Sequence, residues 1–160
     1  MDRTAILLVG MSGSGKSHRA AQLVSALPEG ATHVICSADH WMVNARGAYE
    51  FKPELLGYCH RRSEGCFKKA LAAGVNLVIS DNTNLKGSSR SPYIKMAWKA
   101  GYRVEMHLID VDPAVAFSRQ LHGCPEKRHV EQARQFGLIL QKWGPGVHVL
   151  TPVNYPMPGF

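Results

Sequence analysis

The sequence has no apolar run longer than the five residues Ala5 to Val9. A membrane-crossing helix needs about 20 such residues, so no transmembrane helix is expected. Met1 to Thr4 lead into that short run with no small-residue cleavage site, so no secretory signal is expected and the cytoplasm is the default compartment. A C-x-x-C pair is also missing. Cys36, Cys59, Cys66 and Cys124 are scattered, which argues against the common zinc and thioredoxin-like patterns and fits reduced, packed thiols. Internal repeats and low-complexity tracts are absent, and 160 residues suffice for one sizeable core but not two. Acidic side chains are scarce, 12 against 19 basic, leaving a formal charge of +7. The excess is spread along the chain rather than gathered in a tail. It suits a polyanionic partner such as nucleic acid, and equally an enzyme that handles phosphates.

Against these absences stands a regular alternation. Ala5 to Val9, His33 to Ser37, Asn76 to Ser80, Arg103 to Ile109 and Val147 to Leu150 read as buried strands, the first four mostly continuous in apolar character. Between them lie helical stretches at Lys16 to Leu27, Pro53 to Ala73, Ser91 to Ala100, Pro113 to Leu121 and Glu126 to Trp143, several opened by Pro or Ser and closed near Gly. Such alternation predicts a mainly parallel, five-stranded sheet with helices on both faces, a three-layer α/β/α domain over residues 1–151. The tail 152–160, proline-rich and uncharged, reads as an extended cover or an interaction segment.

The strongest signal is Gly10-Met11-Ser12-Gly13-Ser14-Gly15-Lys16-Ser17, a full G-x-x-x-x-G-K-[ST] loop between a strand and a helix. Glycines let the backbone curl so that successive N–H groups face phosphate oxygens, and the helix N-terminus adds positive potential. Gly10, Ser12, Gly13, Ser14, Gly15, Lys16 and Ser17 are therefore the expected nucleotide-binding set. Lys16 would reach the β- and γ-phosphates of ATP, and the Ser17 hydroxyl would ligate Mg²⁺.

Two carboxylates follow strands on the edge where open α/β sheets bind ligands: Asp39 after the second and Asp81 after the third. A carboxylate there either accepts a proton from a substrate hydroxyl, holds Mg²⁺, or caps the next turn. Asp81 opens the polar quartet Asp81-Asn82-Thr83-Asn84, which suggests a hydrogen-bonding site. Between the last two helices, residues 119–128 combine Arg119, Lys127 and Arg128 with Gly123 and Pro125. That composition reads as a short basic lid, with Arg119 the first choice and Arg128 the second for contact with the transferring phosphate. Trp41, Tyr49, Phe51 and Tyr58 cluster beside Asp39 in sequence, as stacking platforms for bases or as core.

Together these motifs resemble the phage-type polynucleotide 5′-kinases and the related kinase-like module of certain animal ubiquitin-ligase-binding proteins. The likeness takes in Ser37-Ala38-Asp39, Gly47-Ala48-Tyr49-Glu50-Phe51, Ile79-Ser80-Asp81-Asn82-Thr83-Asn84-Leu85, and Arg119 with His122-Gly123 before Pro125. It implies transfer of the γ-phosphate of ATP to the 5′-hydroxyl of a DNA or RNA end. Asp39 would be the general base, Asp81 would lie at the same centre beside the metal, and Arg119 would sit on the phosphates. One position departs from the pattern: the phage-type enzymes carry a strand-gripping arginine three residues after the base, and Met42 stands there. His40, Arg46 or Lys52 would replace it, or the acceptor lacks that phosphate. A small-molecule hydroxyl as acceptor, and a nucleotide-binding module without transfer chemistry, are the alternatives.

Overall fold

A computed structural model describes residues 1–160. Five strands form one sheet: β1 (Thr4–Val9), β2 (His33–Cys36), β3 (Leu77–Asp81), β4 (Arg103–Leu108) and β5 (Gly146–Leu150), in the order β2-β3-β1-β4-β5. Strand β1 runs parallel to β3 on one side and to β4 on the other, and β2 is parallel to β3. The alternating side chains of β1 serve both faces, which is why it reads as an unbroken apolar run. Ala5, Leu7 and Val9 join the large core with α2 (Leu56–Ala72), α3 (Gly87–Lys99) and α5 (Glu126–Trp143), while Ile6 and Leu8 meet Ala20 of α1 (Lys16–Ser25). The layers are uneven, three long helices on one face and one on the other.

The last strand is what makes the sheet mainly rather than wholly parallel, as expected. Two helices, α4 (Pro113–Arg119) and α5, separate β4 from β5, and the chain enters β5 beside the end of β4, with Gly146 opposite Leu108 and Leu150 opposite Val104. The pair is therefore antiparallel. Helix α3 begins at Gly87 rather than Ser91, because the turn is already closed by Arg90 N–H to the Lys86 carbonyl. Pro92 lies inside the helix, in its second turn, and removes the N–H that would otherwise reach the Ser88 carbonyl. The stretch Pro53–Leu55 is a tighter 3₁₀ turn leading into α2. Residues 151–155 form a turn closed by Thr151 and Asn154 rather than an extended strand. The tail nevertheless covers the core, with Met157 buried and Phe160 edge-on to Trp98.

Candidate active site

The glycine loop follows the central strand, so it opens at the carboxyl edge of the sheet between β3 and β4. Gly13 (φ 80°) and Gly15 (φ 97°) take the left-handed backbone that lets the loop curl. A Cβ on Gly13 would also run into the carbonyl oxygen of Ala116 in α4, whereas one on Gly15 would meet open space. The loop is tied at several points. Lys16 Nζ donates to the carbonyls of Gly10 (3.2 Å) and Met11 (2.8 Å), and the Gly10 N–H reaches the Thr83 carbonyl. Burial lowers the Lys16 ammonium to about 8, against the opposing pull of the Asp81 and Asp39 carboxylates. The Ser14 hydroxyl is buried without a partner. Ser17 Oγ donates to Asp81 Oδ2 at 2.8 Å, joining the first turn of α1 to the end of β3.

A cleft of about 680 Å³ extends from this loop to Asp39. Ser37 caps the single turn Ala38–Trp41 by accepting the Asp39 N–H, which fixes the Asp39 backbone and leaves its carboxylate half exposed. Arg119, the last residue of α4, and Arg128, in the first turns of α5, both line the same cleft. Every site residue expected from the sequence except Gly10 lines it: Ser12, Gly13, Ser14, Gly15, Lys16, Ser17, Asp39, Asp81, Arg119 and Arg128. Gly10 lies just beneath, where a Cβ would strike the Ser14 hydroxyl.

A family model described as AAA domain matches residues 6–133. The chain belongs to the AAA domain family. Human NEDD4-binding protein 2 is 30% identical over 127 residues, 77% of this chain and 7% of its own length. The 2′,3′-cyclic-nucleotide 3′-phosphodiesterase of Pongo abelii is 27% identical over 150 residues, 91% of this chain and 31% of its own length. The chain thus spans less than a third of these curated relatives. Among solved structures, a chain of the Pnkp1/Rnl/Hen1 RNA repair complex aligns with a TM-score of 0.72 at 16% identity, covering 94% of this chain and 49% of that one. The APS kinase CysC of Mycobacterium tuberculosis aligns at 0.51 and 18%, covering 88% and 99%. At such identities these likenesses establish the fold, a kinase-like P-loop α/β domain. No helix is long and apolar enough to cross a membrane.

Within this AAA domain the structure corrects the sequence reading at three places. The polar quartet is divided in its duties. Asn82 accepts the Ala38 N–H (2.8 Å) and donates to Ser63 and Ser80, while Asn84, at φ 50°, donates to the Leu8 carbonyl (2.8 Å). Both amides brace loops; Asp81, Asn82 and Thr83 line the cleft, while Asn84 is buried away from it. Second, Met42 is buried with Ala38 and Cys59, and its sulfur accepts the Lys52 N–H. None of His40, Arg46 and Lys52 lines the cleft, and Lys52 pairs with Glu50 instead. The basic groups that share the cleft with Asp39 include His60, His122 and Arg128 besides Lys16 and Arg119. Third, the aromatic cluster splits: Trp41 lies under the Arg62 guanidinium at 4.2 Å, Tyr49 faces the His122 ring, and Phe51 lies 5.9 Å from Arg128.

Sequence reasoning passed over His129 and Gln132. Gln132 Oε1 accepts the Ser12 N–H at 3.0 Å, and His129 Nε2 lies 3.0 Å from the Ser12 carbonyl, so α5 clamps the tip of the loop. Both side chains are buried. Their spacing of three on one helix face was the available signal, but an isolated His-x-x-Gln pair more often serves a core or a surface than a distant loop.

Proposed function

We propose that this domain is an ATP-dependent polynucleotide kinase that moves the γ-phosphate of ATP to the 5′-hydroxyl of a DNA or RNA end. The observation that carries the reading is the opposition, across one cleft, of a half-exposed Asp39 carboxylate and a P-loop backed by the Ser17–Asp81 pair. The unpartnered Ser14 hydroxyl and the curled Gly13 and Gly15 backbone suit a polyphosphate. A serine hydroxyl and a single carboxylate suit Mg²⁺, which is typically held by one or two carboxylates with the rest of its shell left to water and phosphate. When bound, the ion supplies charge neutralisation to the phosphates. Lys16 would release its two backbone carbonyls to engage the phosphates, and Ser17 with Asp81 would hold the ion. Arg119 offsets the charge on the group in transfer. Asp39 takes the proton of the acceptor hydroxyl as the new O–P bond forms and the bond to the β-phosphate breaks.

Incubation with γ-labelled ATP and 5′-hydroxyl oligonucleotides of DNA and RNA is the direct test, with label expected on the 5′ end. ATP binding or hydrolysis without label on any end would overturn the reading. One observation favours a second acceptor class: buried Met42 leaves no arginine where the resembling enzymes grip the strand. A metabolite hydroxyl that accepts label in place of the oligonucleotide would select that class.

A further inference from the structure

The carboxylate of Asp39 makes no hydrogen bond to its own lobe; the Ser37 cap holds only its backbone. A basic side chain reaches it from the segment between α4 and α5. His122 Nε2 lies 3.6 Å from Asp39 Oδ2, and the His122 ring packs on Tyr49 at 4.0 Å between centroids. His122 is three residues beyond Arg119, on the segment that joins α4 to α5. The charged and titratable groups about the Tyr49–His122 stack are Asp39 on the capped turn, Cys124 on the same segment as His122, Arg128 of α5 and Cys59 of α2, with His60 of α2 also lining the cleft. Burial, and next the Asp39 charge, push the Tyr49 hydroxyl up to about 12. The tyrosine therefore offers a neutral face rather than a competing charge.

A general base works when a third group fixes its orientation, the logic by which a nucleophile, its base and an orienting partner act as a set. We infer that His122 is the positioning residue for Asp39, supplied by the same segment that carries Arg119. Contact with the phosphates and orientation of the base then belong to one element, and the base is complete only when that segment lies over the cleft. At 3.6 Å the two groups are in contact but beyond hydrogen-bond distance, and such contacts commonly tighten when substrate seats. The Tyr49 ring sets the imidazole plane, so that Nε2 rather than the ring face meets the carboxylate. The inference rests on the kinase reading for its catalytic consequence, but the contact itself does not.

The experiment has two arms. In the first, His122→Ala, Asp39→Asn and the double variant are assayed for label transfer to a 5′-hydroxyl oligonucleotide. His122→Ala is expected to lower kcat about 10-fold with the KM for ATP unchanged, to lose nothing further in the Asp39→Asn background, and to regain rate with free imidazole. Additive losses in the double variant, or a raised KM for ATP with kcat intact, would overturn the inference. In the second arm, the His122 ring resonances are compared by NMR at one fixed pH in the wild-type chain and in Asp39→Asn. Removing the carboxylate charge is expected to move the His122 ring resonances while those of His148 on β5 stay in place. Unmoved His122 resonances overturn the contact even if no oligonucleotide accepts phosphate. Moved resonances with no transfer uphold the pairing and remove only the acceptor assignment.

Discussion

The two walls of the cleft are built to different standards. On the donor wall nearly every group is held: Lys16 by two carbonyls, Ser17 by Asp81, and Ser12 on both sides by Gln132 and His129. On the acceptor wall, Asp39 projects its carboxylate from a single 3₁₀ turn, and the stretch to Phe51 is a loop tied mainly to itself, Glu50 N–H to the Met42 carbonyl and Asn44 N–H to the Ala48 carbonyl, with Phe51 exposed. A phosphate cradle must present its dipoles before the ligand arrives, because any reorganisation is charged against binding and catalysis. On the proposed reading the acceptor wall gains from adjustability, since strand ends and their bases differ. The contrast predicts that substitutions on one wall change nucleotide affinity, while those on the other change the rate of transfer.

Asp39→Asn should give the largest effect. Removing the base while keeping its shape is expected to lower kcat by roughly 10² to 10⁴ and to leave the Kd for ATP within about 2-fold, measured by single-turnover transfer and by nucleotide titration. An equal fall in affinity would break the contrast, since Asp39 would then belong to the donor wall.

Gly13→Ala probes the donor wall from the other direction. It imposes a left-handed alanine and presses its Cβ on the Ala116 carbonyl, so the loop or α4 must move. Strain of roughly 1–3 kcal/mol is expected, read as a lower Tm together with nucleotide affinity weakened about 10-fold or more. Because α4 ends in Arg119, kcat should fall as well. A variant with unchanged affinity and a lower Tm would mean that the cradle tolerates displacement.

The same contrast governs what the sequence disclosed. The donor wall was legible because its chemistry is local: eight consecutive residues between a strand and a helix specify the curl, the lysine and the serine, and Asp81 closes the set from the next strand in the sheet. The parallel strands were legible for a similar reason, since burial on both faces leaves continuous apolar runs such as Ala5 to Val9. Contacts that join distant elements were not legible. Nothing in His129-x-x-Gln132 points to Ser12, and nothing in Asn84 points to the Leu8 carbonyl, because those pairings depend on where helices and loops dock. The direction of β5 was hidden too, as two helices in the connection remove the rule that a single crossover imposes. Met42 shows the opposite failure. Its departure from the arginine pattern was visible, but its burial against Cys59, and the arrival of the cleft's other basic side chains from α2, α5 and the segment between α4 and α5, were not.

The smallest expected effect serves as the control that separates fold from chemistry. Glu105 on β4 accepts from His107 Nε2 at 2.9 Å and from Arg103 Nε at 2.9 Å, and these partners, His107 foremost, hold its carboxyl down to about 2 from an ordinary 4.5. A carboxylate depressed by folding adds stability that is complete above the unfolded-state value and is lost as pH falls through the folded one. Its contribution is therefore present at neutral pH and fades between about 4.5 and about 2. Glu105→Gln should lower stability at pH 7 by about 1–2 kcal/mol and flatten that part of the acid-unfolding profile, followed by denaturant titration at successive pH values. Neither wall of the cleft includes Glu105. ATP affinity and transfer rate at neutral pH and moderate temperature should thus match the unsubstituted chain. A loss of activity in step with the loss of stability would mean that β4 transmits its state to the cleft, and the two walls would then be less independent than their construction implies.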